Sequence, residues 1–327
     1  MSLRCVFVNQ TILQIADELF AEDAPHGISL ALLVVQRGEI LFERYGTQPD
    51  TIFGPGGPVT AETTLTSWSM AKSITHAAVG ILVGDSVLEL DRPAAVDGWE
   101  GTPKEAITLQ DLLDMRPGLE WVEDYVDDEV SHCLEMLFGG GQDDMAAYAA
   151  ALPMTRRPGS TWNYSSGTTN IISRIIGDIV GGGCKGMEAF LRERLFEPAG
   201  MHSAVPKFDM RGTFIGSSYV YATARDFAKF GELYRNDGVV DGRRILPDGW
   251  RDHARTYVAS DDDGHDYGRH WWLWRDLPGS LACHGYEGQY CIVVPDRELV
   301  VVHLGKCPAD TRIDLTGRLR TLMASLA

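Results

Sequence analysis

Ser67-Trp68-Ser69-Met70-Ala71-Lys72-Ser73 is the stretch on which the reading of this chain turns. It runs into Ile74, Ala78, Ile81 and Leu82, apolar residues at helical spacing, with Thr66 or Ser67 placed to cap the helix. Residues three apart on a helix lie one above the other, so the spacing predicts Lys72 one turn above Ser69 and facing the same way. Ser69 would then stand at the positive end of the helix dipole, where a developing oxyanion is stabilised. A serine hydroxyl is a poor nucleophile at neutral pH, and a desolvated lysine beside it can take or relay its proton. The same spacing also begins many solvent-facing helices, so it needs support from elsewhere in the chain.

That support begins with Pro158-Gly159-Ser160-Thr161-Trp162-Asn163-Tyr164-Ser165-Ser166-Gly167, which precedes a helical pattern at Asn170-Ile171-Ile172. It places Tyr164 on a loop at a helix entrance. A lysine cation beside a tyrosine favours the phenolate, which can then serve as a general base. An aromatic plug packing the loop is the competing reading of Tyr164 taken alone.

Outward from these blocks, Asn9 to Phe20 predicts an amphipathic helix. Ile28–Val35 and Ile40–Tyr45 predict two strands joined by Gln36-Arg37-Gly38-Glu39. Gln289–Val294 and Leu299–Leu304 predict a second hairpin around Pro295-Asp296-Arg297-Glu298, and a last helix carries Ile313, Leu315, Leu319, Leu322 and Met323. Strands near both ends with helices between them imply an α+β fold. One antiparallel sheet is flanked by the N- and C-terminal helices, and a mainly helical region is inserted. The expected units are a discontinuous sheet domain, residues 1–65 and 207–327, and a helical domain, residues 66–206. A site at their seam is a natural place for chemistry.

Composition bounds the function. The chain has 327 residues, 29 Lys+Arg against 46 Asp+Glu, and a formal charge of −17. With no concentrated basic patch, that balance argues against nucleic-acid binding. No apolar run reaches the ~18 residues of a membrane span. The start, Met1-Ser2-Leu3-Arg4-Cys5-Val6, shows no secretory signal, and a cytoplasmic location is expected. Six cysteines, at 5, 133, 184, 283, 291 and 307, lack metal-ligand spacing and read as free thiols. Asp261-Asp262-Asp263-Gly264-His265-Asp266 has no closing glutamate and reads as a solvated turn rather than a calcium loop. Neither a metal nor a cofactor is expected, and oligomeric state is open.

Further blocks follow in a set order: Thr108-Leu109-Gln110-Asp111-Leu112-Leu113-Asp114-Met115-Arg116-Pro117-Gly118-Leu119, then Tyr221-Ala222-Thr223-Ala224-Arg225-Asp226-Phe227, then Gly285-Tyr286-Glu287-Gly288-Gln289. Together with the Ser69 and Tyr164 blocks they resemble the serine β-lactamase-related superfamily of class C β-lactamases, D-Ala-D-Ala carboxypeptidases and related esterases. Within it the resemblance is strongest to 6-aminohexanoate-dimer hydrolases and their carboxylesterase relatives. Trp121-Val122-Glu123-Asp124-Tyr125-Val126-Asp127-Asp128 is similar to the mobile loop of those enzymes, and Tyr267-Gly268-Arg269-His270-Trp271-Trp272 to their pocket-lining run.

The resemblance implies a β-lactamase/transpeptidase-like fold and a serine hydrolase that cleaves a small ester or amide through an acyl-enzyme. It makes Ser69 the nucleophile, gives the base and acid work to Lys72 and Tyr164, and forms the oxyanion hole from the backbone N–H groups of Ser69 and Tyr286. It makes Tyr125 a lid contact, against the alternative of a surface aromatic. Ser166 stands where relatives carry an amide. Trp271 and Trp272 are assigned to substrate binding, the favoured split being one in the core and one in the pocket.

Cys283-His284-Gly285 replaces the usual Lys-Thr-Gly strand, so the lysine that would pair with a β-lactam carboxylate is absent. His284 becomes either a weak, pH-dependent cation or a structural strand histidine. The acidic clusters Glu123-Asp124 and Asp127-Asp128-Glu129 imply neutral or amine-bearing substrates. The alternatives are a D-aminopeptidase, a D-Ala-D-Ala peptidase or a weak β-lactamase on the same scaffold, and, in another class, a non-catalytic binding protein.

Overall fold

The computed structural model describes residues 9–51, 54–125, 130–261 and 264–326. Met1-Ser2-Leu3, Cys5, Asp127-Asp128-Glu129, and Asp262 and Asp263 of the acidic turn therefore lie outside the described residues.

In chain order, the elements that build the site begin with helix α1 (Gln10–Leu19) and strands β1 (Ile28–Gln36), β2 (Glu39–Tyr45) and β3 (Leu65–Thr66). Helices α2 (Ala71–Gly84) and α3 (Ser166–Val180) follow, then β4 (Val205–Pro206), β5 (Val220–Ala222) and helix α4 (Ala224–Arg235). The chain ends with β6 (Ala259–Ser260), β7 (Asp266–Tyr267), β8 (Trp272–Leu273), β9 (Leu281–Gly285), β10 (Gln289–Val294), β11 (Leu299–Lys306) and helix α5 (Arg312–Ala324).

The main sheet is antiparallel, in the order β6-β7-β8-β9-β10-β11-β1-β2. β1 pairs with β11 (Leu33 opposite Val302) as well as with β2, so the two ends of the chain meet in the middle of the sheet. The β1–β2 connection holds Arg37 at φ +55° and Gly38 at φ +79°, the pair of left-handed residues that a two-residue hairpin loop demands.

β1 is buried on both faces, which explains its unbroken apolar run. Leu32 and Val34 face α1 and α5, which contribute Ile12, Ile15, Leu19, Leu315, Leu319 and Leu322. Leu33 and Val35 face the larger core with Phe227 and Phe230 of α4. That helix lies close on the sheet because Gly231 has no side chain. A Cβ there would come within 2.6 Å of Val300 Cγ1 and 2.9 Å of Cys291 Sγ.

The α+β architecture is thus the one the sequence implies: an antiparallel sheet, terminal helices on one face and a mainly helical stretch inserted on the other side. A small sheet, β3-β5-β4, joins the strand before the Ser69 turn to segments beyond residue 200. No helix among the described residues is long and apolar enough to cross a membrane. The described cysteines, 133, 184, 283, 291 and 307, are free thiols.

The start of α2 departs from expectation. Neither Thr66 nor Ser67 caps it, because a single 3₁₀ turn, Trp68–Met70, intervenes. The Ser67 hydroxyl instead donates to the Ser218 carbonyl at 3.1 Å and accepts from the Val220 N–H at 3.0 Å, fixing the turn to β5. The Ser67 carbonyl also lies against β9, an approach open only to glycine at 285, where a Cβ would sit 2.4 Å from that oxygen.

Candidate active site

The 3₁₀ turn presents Ser69 at the mouth of a cleft of about 640 Å³ whose lining includes Glu123, Tyr125, Trp162, Tyr164, Trp272, His284, Tyr286 and Arg312. Lys72, 2% exposed, reaches back from the first turn of α2 and donates to Ser69 Oγ at 2.9 Å. Its other donors meet Ser166 Oγ at 2.9 Å and the Ser217 carbonyl at 3.0 Å. Three short contacts hold the Lys72 nitrogen, and Ser69 makes one of the three.

Tyr164 sits just before α3, with Lys72 Nζ 4.9 Å from its ring centroid. The phenol is held above its ordinary pKa, because burial outweighs the opposing pull of Lys72, while the charge on Glu123 raises it further. The expectation that Lys72 keeps Tyr164 partly ionised is therefore corrected. In this site the phenol form is favoured; Lys72 donates to Ser69, and the Tyr164 hydroxyl is also hydrogen-bonded to Ser69 and Lys72.

Tyr286 follows β9, and its ring meets the Tyr125 ring at 5.0 Å and the Trp68 ring at 5.8 Å. Tyr125 overhangs the cleft, its hydroxyl donating to Glu123 Oε1 at 2.7 Å. Burial and that carboxylate push its pKa well above the ordinary value, so it stays a neutral donor.

The two tryptophans separate. Trp272 lines the cleft, 5.5 Å from the Tyr164 ring, whereas Trp271 is fully buried, stacked on Phe230 at 5.8 Å and tilted against Tyr234 at 4.4 Å. The assignment of Trp271 to substrate binding is corrected accordingly: it lies just before β8, buried in the core against α4.

His284 lines the cleft, stacked on Trp272 at 5.2 Å with its Nε2 accepting from the Trp274 indole N–H at 2.9 Å. Burial first, then the charges of His265, Arg312 and Arg320, put its pKa well below the ordinary value. The reading of His284 as a pH-dependent cation therefore fails, since the ring is neutral and its Nε2 lone pair is taken.

Two residues that the sequence reading passed over complete the site. Glu123 enters the sequence reading only as a member of the mobile-loop block and of an acidic cluster, yet four N–H and O–H donors converge on it. Its Oε2 receives the Ser166 N–H at 2.8 Å and the Trp121 indole at 2.6 Å, and its Oε1 receives the Tyr125 and Ser166 hydroxyls. Arg312, at the first position of α5, also lines the cleft and has no hydrogen bond or ion pair among the described residues. A cation at a helix N-terminus opposes the helix dipole, a signal visible only once that helix boundary is known. The remaining acid in the lining, Asp261, is engaged by the His265 N–H at 2.7 Å and by its ring at 3.2 Å. Among the described lining residues, the carboxylates Glu123 and Asp261 are thus hydrogen-bonded within the protein, while Arg312 is a cation the acidic clusters do not account for.

Among the described residues, one group has metal-ligand character: His26, His303 and Cys307, with ligand-type atoms within 4.8 Å of one another. Ser29 Oγ already bridges the two rings at 3.1 and 2.9 Å, and His303 Nδ1 meets the Gly288 carbonyl at 2.7 Å. These residues do not line the cleft and serve as a buttress behind the Tyr286–Gly288 turn.

The geometry has close company among known proteins. The chain is 26% identical over 303 residues to the 6-aminohexanoate-dimer hydrolase of Paenarthrobacter ureafaciens, covering 86% of this chain and 74% of that one. A penicillin binding protein structure from Bacillus halodurans superposes with a TM-score of 0.71 at 17% identity, covering 90% of this chain and 96% of that one. A family VIII carboxylesterase structure gives 0.70 at 14% identity, covering 96% and 98%. The profile of the beta-lactamase family matches residues 16–318, and the chain belongs to that family.

Proposed function

We propose that this protein is a serine hydrolase that cleaves a small ester or amide, with Ser69 as nucleophile. The observation that carries the reading is the 2.9 Å contact between Ser69 Oγ and the buried Lys72 Nζ, at the mouth of the cleft. Kinship with a 6-aminohexanoate-dimer hydrolase supports it.

In the acylation step, Ser69 Oγ forms a bond to the substrate carbonyl carbon while its proton passes to Lys72. The backbone N–H groups of Ser69 and Tyr286 receive the oxyanion, a term worth about 10²–10³ in rate per donor. Tyr164, a phenol beside Lys72, donates its proton to the leaving alkoxide or amine and is reprotonated from Lys72. Water then enters by the reverse route and frees the acid.

The unpaired Arg312 supports a substrate that carries a carboxylate at the end away from the scissile bond. A guanidinium–carboxylate hydrogen bond is worth roughly 1.5–3 kcal/mol, about ten- to a hundredfold in affinity. The same cation favours one second reading, a peptidase or β-lactamase acting on a carboxylate-bearing amide, with Arg312 in the place of the missing strand lysine.

Hydrolysis of p-nitrophenyl butyrate, mono-p-nitrophenyl glutarate and nitrocefin separates these readings. The proposal expects turnover of both esters, a lower KM for the glutarate, and loss of that preference in Arg312→Gln. Equal KM values for the two esters would remove the carboxylate assignment. Nitrocefin turned over faster than either ester would favour the second reading.

A further inference from the structure

Ser166 has one hydroxyl proton, and Glu123 Oε1 takes it. With its proton committed, Ser166 Oγ can meet Lys72 only as an acceptor, which is the 2.9 Å contact observed. The Ser217 carbonyl is likewise an acceptor and holds a second Lys72 N–H at 3.0 Å. Two of the three substituent positions on Nζ are therefore fixed by partners that cannot donate, and the third faces Ser69 Oγ at 2.9 Å. When Lys72 gives up a proton, the lone pair opens toward the nucleophile, because either other position would leave a buried acceptor unpaired at a cost of about 1–3 kcal/mol. The serine in place of an amide at 166 matters here, since an amide could offer Lys72 either a donor or an acceptor by flipping.

We propose that Glu123 is a positioning residue that acts through the Ser166 hydroxyl to aim the Lys72 lone pair at Ser69. The inference rests on Ser69 being the nucleophile, but it assigns a role the nucleophile assignment does not require. Glu123 is well built for it. Its Oε2 accepts from the Trp121 indole N–H and from the Ser166 N–H at the first turn of α3, and its Oε1 accepts from the Tyr125 hydroxyl. The Cys133 thiol lies 3.7 Å away, and its pKa is raised by burial and by Glu123, so it stays protonated and does not compete for the charge. The charged and titratable groups facing Tyr164, the other proton carrier, are Lys72 and Glu123, with Tyr125 and Tyr267 as neutral phenols. Of these, Glu123 opposes the phenolate, so its removal makes the Tyr164 proton easier to lose.

Two readouts on Glu123→Gln, Ser166→Ala and the double variant test the proposal. The first is the rate of fluorophosphonate labelling across pH, and the second is the Lys72 Nζ resonance in lysine-¹⁵N-labelled protein. Each single variant should remain folded and lose roughly tenfold in labelling rate, and the double variant should lose no more than the worse single. The acid limb of the Glu123→Gln labelling profile should move to lower pH, and the Lys72 resonance should shift in both single variants. A Lys72 resonance that coincides with wild type in Glu123→Gln, or losses that multiply in the double variant, would overturn the role of Glu123 while leaving the hydrolase reading intact. A wild type that is never labelled, with the resonance shifts present, would instead overturn the hydrolase reading and leave the hydrogen-bond geometry standing.

Discussion

The Trp68 indole N–H donates to Glu287 Oε2 at 3.2 Å, and both residues hold left-handed backbone, at φ +43° and +61°. One immediately precedes Ser69 and the other immediately follows Tyr286. Ser69 and Tyr286, the proposed nucleophile and second oxyanion residue, therefore sit on two strained turns pinned to each other, with Lys306 Nζ adding a 2.6 Å ion pair to the same carboxylate oxygen. Strain of this kind costs about 1–3 kcal/mol per residue and persists only where its surroundings enforce it.

Removing the pin should relax both turns. Glu287→Ala is expected to lower kcat on a p-nitrophenyl ester roughly tenfold with little change in KM, because the loss falls on alignment and not on the cleft walls. Steady-state kinetics beside a melting curve checks this, and an unchanged kcat would contradict it.

The neighbouring tryptophans should fail in different ways. Trp271 is fully buried against Phe230 and Tyr234, so Trp271→Ala is expected to cost about 3–5 kcal/mol in chemical denaturation. Trp272 lines the cleft, so Trp272→Ala should raise KM several-fold at a smaller stability cost. Matching stability losses in the two variants would contradict the division.

Acid should unfold this protein earlier than its carboxylates alone require. His253 and His270 are lowered by burial to about 3 and His303 to about 4, and His26, His76 and His284 are lowered too. Above the unfolded value near 6.5 these rings are neutral in both states. Below it only the unfolded chain takes up protons, so stability present above pH 6.5 is lost as pH falls toward the folded values. Each fully buried ring contributes at most about 1.4 kcal/mol per pH unit. The urea midpoint should therefore fall steeply between pH 6.5 and 5, and a flat midpoint over that range would show that the rings are protonated in the fold.

Much of the architecture could be read from the chain because its signals are local. Asn9 to Phe20, the two hairpins and the last helix each announce themselves by period and turn residues, and strands near both ends imply one shared sheet. Ser69 and Lys72 were legible by spacing, and Tyr164 by its loop. What escaped depends on distant partners. Glu123 looked like one more surface acid until Ser166, Trp121 and Tyr125 converged on it. Arg312 joins the cleft from the far end of the chain, and His284 loses its apparent charge to Trp274, ten residues earlier. The helix cap was misplaced because a 3₁₀ turn, which carries no pattern of its own, stands between Ser67 and α2.

The central claim is that Ser69 is the group that takes the acyl chain. Intact-mass analysis after fluorophosphonate treatment tests it most directly, because it reads the covalent bond itself. The wild type should gain one adduct, the adduct should map to Ser69, and Ser69→Ala should gain none. An adduct of equal yield in the Ser69→Ala protein would contradict the account.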